Sequence, residues 1–208
     1  MTAPAASPAA SLSTRFGRRG MVSCESLVEM EPDMSDAEKI AELERALEVS
    51  RAETRAAFEN RAVLYAYLFD ELESELGVER ATEVMKRAIY RRGLDVGRAY
   101  REAAEAGDLE EVARLFADRS PQQGALFEPG VEEPAEGGRI VIRMTGCPLA
   151  EAWRDAGYQP ERVDLLCEIA AAVDEGTFAA AGLELAFLDR QGCVGSDRCL
   201  LELRVRNA

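Results

Sequence analysis

Apolar side chains recur at helical spacing through the first half of the chain. Ile40, Leu43 and Leu47, then Phe58, Ala62, Tyr65, Leu68, Phe69, Leu72 and Leu76, fall on one stripe. Ser35 with Glu38 three residues on has the form of a capping box, in which each side chain covers an orphan amide. Neither Gly nor Pro interrupts Ser35 to Leu76, which reads as one long helix, or two joined smoothly, stopped by Gly77. A second helix is expected over Val78 to Ala106, with Ala81, Met85, Ala88 and Ile89 on one face. Gly93 and Gly97 lie inside it, and each costs ~1 kcal/mol against Ala. Their spacing also lets a second backbone, or a ligand, come close. Asp108 is placed to cap a short third helix through Leu109, Val112, Leu115 and Phe116.

The periodicity then changes. Residues 120–138, punctuated by Pro121, Gly124, Pro129, Gly130, Pro134, Gly137 and Gly138, read as a linker. Arg139 to Thr145 alternates, with Ile140, Ile142 and Met144 on one face, and predicts a strand. Pro148 opens a helix to Ala156, ended by Gly157; Pro160 opens another, with Val163, Leu166, Cys167, Ala170 and Val173 on a stripe and Asp174 at its end. Leu183 to Leu188 and Cys199 to Val205 alternate as strands, joined by a glycine-containing hairpin loop. The fold class is α+β: a helical N-terminal half (35–119), the linker, then a small antiparallel sheet packed with two helices (139–206), with 35–206 expected as one structural unit. Residues 1–34 are set apart. Met1 to Ser23 is rich in Ala, Ser and Pro, contains Arg15, Arg18 and Arg19, and has no acid. It reads as a disordered tail or an over-extended start, with Met21 or Met34 as alternative initiators; a transit peptide shares the composition, and a secretory signal is excluded for want of an apolar core.

Composition narrows the chemistry. The chain has 208 residues, 25 basic and 39 acidic side chains and a formal charge of −14. Such an acidic chain is a poor ligand for a phosphate backbone, so no nucleic-acid partner is expected. No stretch approaches the roughly 20 apolar residues of a membrane span, and no membrane partner is expected. There is no histidine. Ser-His-Asp triads, Cys-His pairs and histidine-ligated metals are therefore excluded, and any catalysis must draw on Cys, Asp, Glu, Tyr, Arg or backbone donors. The five cysteines, Cys24, Cys147, Cys167, Cys193 and Cys199, are widely spaced and form no CxxC pair. This spacing fits free thiols in a reducing, cytoplasmic setting.

Cys147 sits where a strand hands over to a helix, and free amides there favour a thiolate. Cys167 lies on an apolar stripe and reads equally as core filler or as a site residue. Asp174, seven residues on, shares its face and reads equally as a solvated helix end or as an acid–base group. Cys193, in the glycine loop, reads as incidental. Arg139 and Arg143 are candidates for binding a carboxylate, with Arg139 better read as an ordinary exposed strand residue. Cys147, Cys167 and Cys199 are the alternative ligands of a zinc ion or iron–sulfur cluster, with Asp174 or water as a fourth.

The segments TGCPLAEAW, LLCEIAAAVD and GSDRC, with ELGVERATEVMKRAIYRRGLDVGRAY before them, resemble the L-2-amino-thiazoline-4-carboxylic acid hydrolase family over roughly Ala37 to Val205. The resemblance implies a hydrolase that opens a small cyclic amidine or isothiourea by C–N or C–S cleavage, without a cofactor. The positions matched are Cys147, Cys167, Asp174 and Cys199; Cys193 falls outside the pattern. The residues lend themselves to Cys147 as nucleophile, Asp174 as acid, base or water-orienting group, and Arg143 as carboxylate ligand. A more distant likeness to small-molecule-binding domains of the 4-vinyl reductase type keeps a non-catalytic sensor or accessory domain as the alternative. A small molecule is the expected partner, with a homodimer through the N-terminal helices as an addition.

Overall fold

The computed structural model describes residues 35–206. The tail expected over 1–34, including Cys24, Met21 and Met34, lies outside the described residues. Contacts divide the chain into Met1–Glu42 and a larger unit, Leu43–Ala208. In the first, Ser35 and Glu38 form the expected capping box: the Ser35 amide and hydroxyl both donate to Glu38 Oε2, at 2.9 and 2.8 Å. They start helix α1 (Asp36–Leu76), which is continuous to the glycine stop.

The larger unit is α+β. After α1 come α2 (Val78–Gly97), a 3-10 turn (Arg98–Tyr100), α3 (Arg101–Glu105) and α4 (Leu109–Arg119). Strands β1 (Pro129–Glu136) and β2 (Arg139–Met144) follow, then α5 (Pro148–Asp155), α6 (Pro160–Ala181), β3 (Leu183–Asp189) and β4 (Cys199–Val205). The four strands make one antiparallel sheet in the order β1-β2-β4-β3.

Three expectations need correction. The linker contains strand β1, which pairs with β2 through a Gly137-Gly138 turn, both glycines at positive φ. It escapes the alternation rule because it is an edge strand with two prolines, two register shifts and almost no buried side chain. The helix expected over 78–106 is broken by the 3-10 turn. Asp174 does not end its helix; α6 runs on to Ala181, and Gly182 at φ 89° supplies the left-handed cap.

Apolar burial follows two clusters. One joins the sheet to α3, α4 and the C-terminal part of α6, around Phe116, Phe178, Ile140, Ile142, Leu201 and Leu203. The other joins α1, α2, α5 and the N-terminal part of α6, around Phe69, Met85, Ile89, Trp153, Leu166 and Ile169. Helix α6 belongs to both. The Trp153 indole N–H donates to the Ala62 carbonyl at 2.7 Å, tying α5 to α1. On α1 the buried side chains are Ala62, Ala66 and Phe69, whereas Leu43, Leu47 and Leu68 of the expected stripe are exposed.

The α2–α6 contact is the tightest in the molecule. The buried stripe of α2 is Ala81, Met85, Ile89, Gly93 and Gly97, and it ends in glycine because α6 comes too close for a side chain. A Cβ on Gly93 would strike the Val173 carbonyl and sit 2.8 Å from the Gly176 Cα; one on Gly97 would strike the Thr177 carbonyl. From the other side, a Cβ on Gly176 would strike the Tyr90 carbonyl. These are backbone atoms of two helices, so neither can yield alone. Of the two partners the spacing allows, the glycines admit a backbone. Gly93→Ala or Gly176→Ala is expected to lower stability by about 1–3 kcal/mol or more through forced helix separation, checked by denaturant unfolding. Ala88→Ser, on an exposed position of α2, is expected to change little.

Candidate functional site

Between the two clusters lies a cavity of about 290 Å³. Its apolar walls are Phe58 from α1, Val96 from α2, Tyr100 from the 3-10 turn, Phe116 from α4, Phe127, Met144 and Phe187. Phe58 and Phe127 meet edge to face at 5.3 Å. Phe127 is held there by the chain before Cys147: the Gly146 amide donates to the Phe127 carbonyl at 3.1 Å, and a Cβ on Gly146 would come within 2.8 Å of the Leu126 carbonyl. The segment between α4 and β1 carries Gln122, Gln123 and Glu128 at positive φ, a conformation non-glycine residues adopt at a cost. It is pinned at one end by Gln122 donating to the Arg51 carbonyl and at the other by Thr145 donating to Glu128.

Cys147, Cys167, Asp174 and Cys199 all line this cavity. Cys147 is the N-cap of α5, its sulfur accepting from the Ala150 amide at 3.5 Å. Cys167 and Asp174 lie two helical turns apart on the face of α6 that the packing leaves half open. Cys199, first residue of β4, accepts from the Gln191 amide at 3.3 Å. The four described cysteines are free thiols. Cys193 is elsewhere, facing Asp164 at 3.4 Å beside a second, more open depression.

The thiols are less acidic than position alone suggests. Burial pushes the Cys147 thiol up, and the Ala150 and Leu149 amides that pull it down only partly offset this. The expectation of a thiolate at this helix start is therefore corrected: desolvation outweighs the helix terminus. Burial likewise raises Cys167, with Cys147 and Cys199 adding to the effect, and raises Cys199 to about 11. Asp174 is pushed up to about 7 by burial, with Glu175 contributing. At neutral pH the cavity thus holds protonated thiols beside a carboxyl poised between its two forms.

Arg143 does not line the cavity. It faces β1, where it pairs with Glu132 at 3.0 Å, and Arg139 pairs with Glu133 and Glu202. The arginines that do line the cavity are Arg61, Arg92, Arg119 and Arg190, against Asp174 as its one carboxylate. Arg61, Arg92 and Arg119 come from α1, α2 and α4 and are exposed, so they mark the opening. Arg61 stacks over Phe58 at 4.0 Å. Among the described residues none of these three joins a carboxylate. Also among the described residues, no three Cys, Asp or Glu side chains group as ligands for one metal ion, and Cys147, Cys167 and Cys199 share the cavity without forming such a set.

A model of the L-2-amino-thiazoline-4-carboxylic acid hydrolase family matches residues 55–201. The chain belongs to that family. Every residue assigned to the site from sequence falls inside the match, as do the four cavity arginines. No curated protein matches the chain. Among solved structures, a trafficking protein particle complex subunit 3 from Naegleria fowleri, covalently bound to palmitic acid, aligns with a TM-score of 0.52 and 14% identity, covering 73% of this chain and 96% of that one. At that identity the likeness is one of fold. No helix among the described residues of this family member is long and apolar enough to cross a membrane.

Sequence reasoning missed Arg61, Arg92 and Arg119. Each sits on a charged helix face, and only the convergence of three helices distinguishes them from solvated arginines.

The raised Asp174 sets the sign of a pH dependence. Between its ordinary value of 3.8 and about 7 the native state keeps a proton that the unfolded chain has lost. The contribution of Asp174 to stability is therefore full below that window, falls as pH rises through it and levels off above about 7. Asp174→Asn carries no such charge. Its melting temperature is expected to lose this decline and to exceed that of the parent at about pH 8 by several degrees, measured by thermal unfolding across pH.

Proposed function

We propose that this protein is a ring-opening hydrolase for 2-amino-thiazoline-4-carboxylate or a close cyclic isothiourea, working in a reducing, cytoplasmic compartment. The observation that carries the reading is the placing of Cys147 and Asp174 on one largely apolar cavity, with the carboxyl poised near neutrality. The family match supports the class of reaction.

The chemistry follows from the groups present. The substrate's C2 is bonded to the ring sulfur, the ring nitrogen and an amino group, and it is electrophilic when the amidine is protonated. Ionised Asp174 takes the thiol proton, and Cys147 Sγ bonds to C2. The C2–S ring bond then breaks, and the departing sulfur receives the proton from Asp174. This leaves the opened substrate joined to Cys147 as an isothiourea. Asp174, again ionised, deprotonates a water that attacks C2. The Cys147–C2 bond breaks, Cys147 regains a proton, and N-carbamoyl-cysteine leaves. One water is consumed and nothing is oxidised. A carboxyl near pH 7 suits both directions of transfer, since an acid–base group works best close to the operating pH.

Arg61, Arg92 and Arg119 replace Arg143 as the group that receives the substrate carboxylate at the opening. A guanidinium fork matches a carboxylate in two hydrogen bonds. Cys167 and Cys199 are neutral thiols lining the cavity, and their part is to shape it.

Turnover of 2-amino-thiazoline-4-carboxylate by the purified chain tests the reading. Cys147→Ala is expected to abolish it, and Asp174→Asn to lower kcat by about 10²–10⁴-fold and remove the pH-rate limb near neutrality. Cys193→Ser is expected to leave it unchanged. Arg119→Ala is expected to raise KM more than it lowers kcat, as loss of a contact made equally in ground and transition states does. Undiminished turnover by Cys147→Ala would overturn the nucleophile. No turnover by the parent chain, with retained binding of the same compound, would make the cavity a binding site without catalysis.

A further inference from the structure

At the end of β3 two consecutive residues, Arg190 and Gln191, reach the cavity wall beside Cys199. Gln191 is buried, only 5% exposed. Its side-chain amide donates twice, to the Thr145 carbonyl at 2.7 Å and to the Asp197 carbonyl at 2.9 Å. Both acceptors are carbonyls, so the amide has one permitted sense: reversing it would set oxygen against oxygen. Its Oε1 is consequently fixed in the other direction, and there it is buried with no partner. Arg190 repeats the pattern. Its terminal nitrogen donates to Asp164 at 3.0 Å, while its Nε is buried without a partner. One wall of a largely apolar cavity is thus lined by two consecutive residues, one with a buried acceptor left unpaired and the other with a buried donor left unpaired.

A buried polar atom left unpaired has lost its water without a replacement, which is unfavourable. The loop around these residues is tightly built, which explains how the arrangement persists. Gly192 lies against Cys167, where a Cβ would come within 2.7 Å of the sulfur, and Ser196 bonds the Arg198 carbonyl at 2.8 Å. With one amide hydrogen of Gln191 committed to the Asp197 carbonyl of the loop and the other to the Thr145 carbonyl after β2, the oxygen is held still.

We propose that Gln191 is the specificity-determining residue of the cavity, its Oε1 accepting a hydrogen bond from an N–H of the ligand's amidine, with Arg190 Nε donating to a lone pair on the same ligand. This rests on the hydrolase reading and adds to it a means of telling an amino-substituted ring from one of equal shape without the amino group. Asp174 carries a negative charge only when deprotonated, so in its neutral form the cavity leaves recognition of the amidine to Gln191. A site built to pair a donor rejects the analogue lacking it more strongly than an apolar pocket rejects a change in size.

The test compares two ligands, 2-amino-thiazoline-4-carboxylate and 2-methyl-thiazoline-4-carboxylate, which have the same outline. Equilibrium binding is measured on full-length Cys147→Ser protein, in which the ring stays intact. The amino compound is expected to bind about 10- to 100-fold more tightly. In the Cys147→Ser, Gln191→Met double variant the ratio is expected to fall close to one, with binding of the methyl compound little changed. A ratio near one while Gln191 is present overturns the inference, and this measurement needs no substitution in the loop. A large ratio that survives Gln191→Met overturns it too. If neither compound binds, the inference falls with the hydrolase reading. If the parent chain turns over the amino compound and the ratio is still near one, only the role of Gln191 falls.

Discussion

The fold is organised by a distance that only glycine permits. Gly93 and Gly97 of α2 and Gly176 of α6 bring two helix backbones into direct contact, where any Cβ would meet a carbonyl of the other helix. An apolar stripe of larger residues would serve burial as well, but it would hold the helices farther apart. The close crossing matters because α6 serves two masters. Its buried face completes both clusters, and its remaining face carries Cys167 and Asp174 into the space between them. Fixing α6 against α2 fixes how far those two groups stand from the opposite wall, where α5 begins at Cys147. The glycines lie next to Val173 and Thr177 and touch nothing in the cavity, yet they set its depth.

At Cys147 two effects of the fold oppose each other. The helix start offers its amides to the sulfur, which favours a thiolate, and the cavity removes water, which disfavours one. Burial wins, and the same burial acts on Asp174 in the same direction. On the proposed function, a carboxyl raised to about 7 and a neutral thiol on the same cavity divide the labour, the first taking and returning the proton of the second. The desolvated cavity also strengthens each of these interactions, since charges there are not screened as in water. The absence of histidine then becomes intelligible. A carboxyl placed in an apolar cavity reaches the proton affinity that histidine has in water.

Much of the fold was legible because burial is periodic. Helix α1 from its capping box to Gly77, α4 from Asp108, and strands β2, β3 and β4 all follow from spacing and caps. Strand β1 was not legible, since an exposed edge with Pro129 and Pro134 has no apolar period to read. Asp174 was read on the correct face but at the wrong place along the helix. The helix runs on past Gly176, which is a packing residue inside it, and ends at Gly182. For the site, cysteine position was informative and charge was not. Arg143 and Arg119 are alike in sequence; one is consumed by Glu132 across the sheet, and the other faces the cavity opening. Gln191 carried no signal at all, because its meaning lies in which of its atoms the loop leaves unpaired.

The overall charge of −14 and the lining of the cavity point in opposite directions, and the contrast bears on the ligand. In a chain with 39 acidic side chains arginines have many carboxylates to pair with, yet among the described residues only half of the arginines do so. Three that do not are drawn from three separate helices to one opening. Helices crossing by chance would more often bring an acid there than a third arginine. Being exposed, they are hydrated in the free protein and remain open to an anion that enters there. The net charge disfavours anions in general, while three guanidinium groups at one opening favour an anion there. The apolar walls and the unpaired atoms of Arg190 and Gln191 suit an anion that also carries a hydrogen-bonding body. On the proposed function, a carboxylate attached to a small nitrogen-containing ring uses both parts of this lining, whereas a simple inorganic anion would use only the arginines.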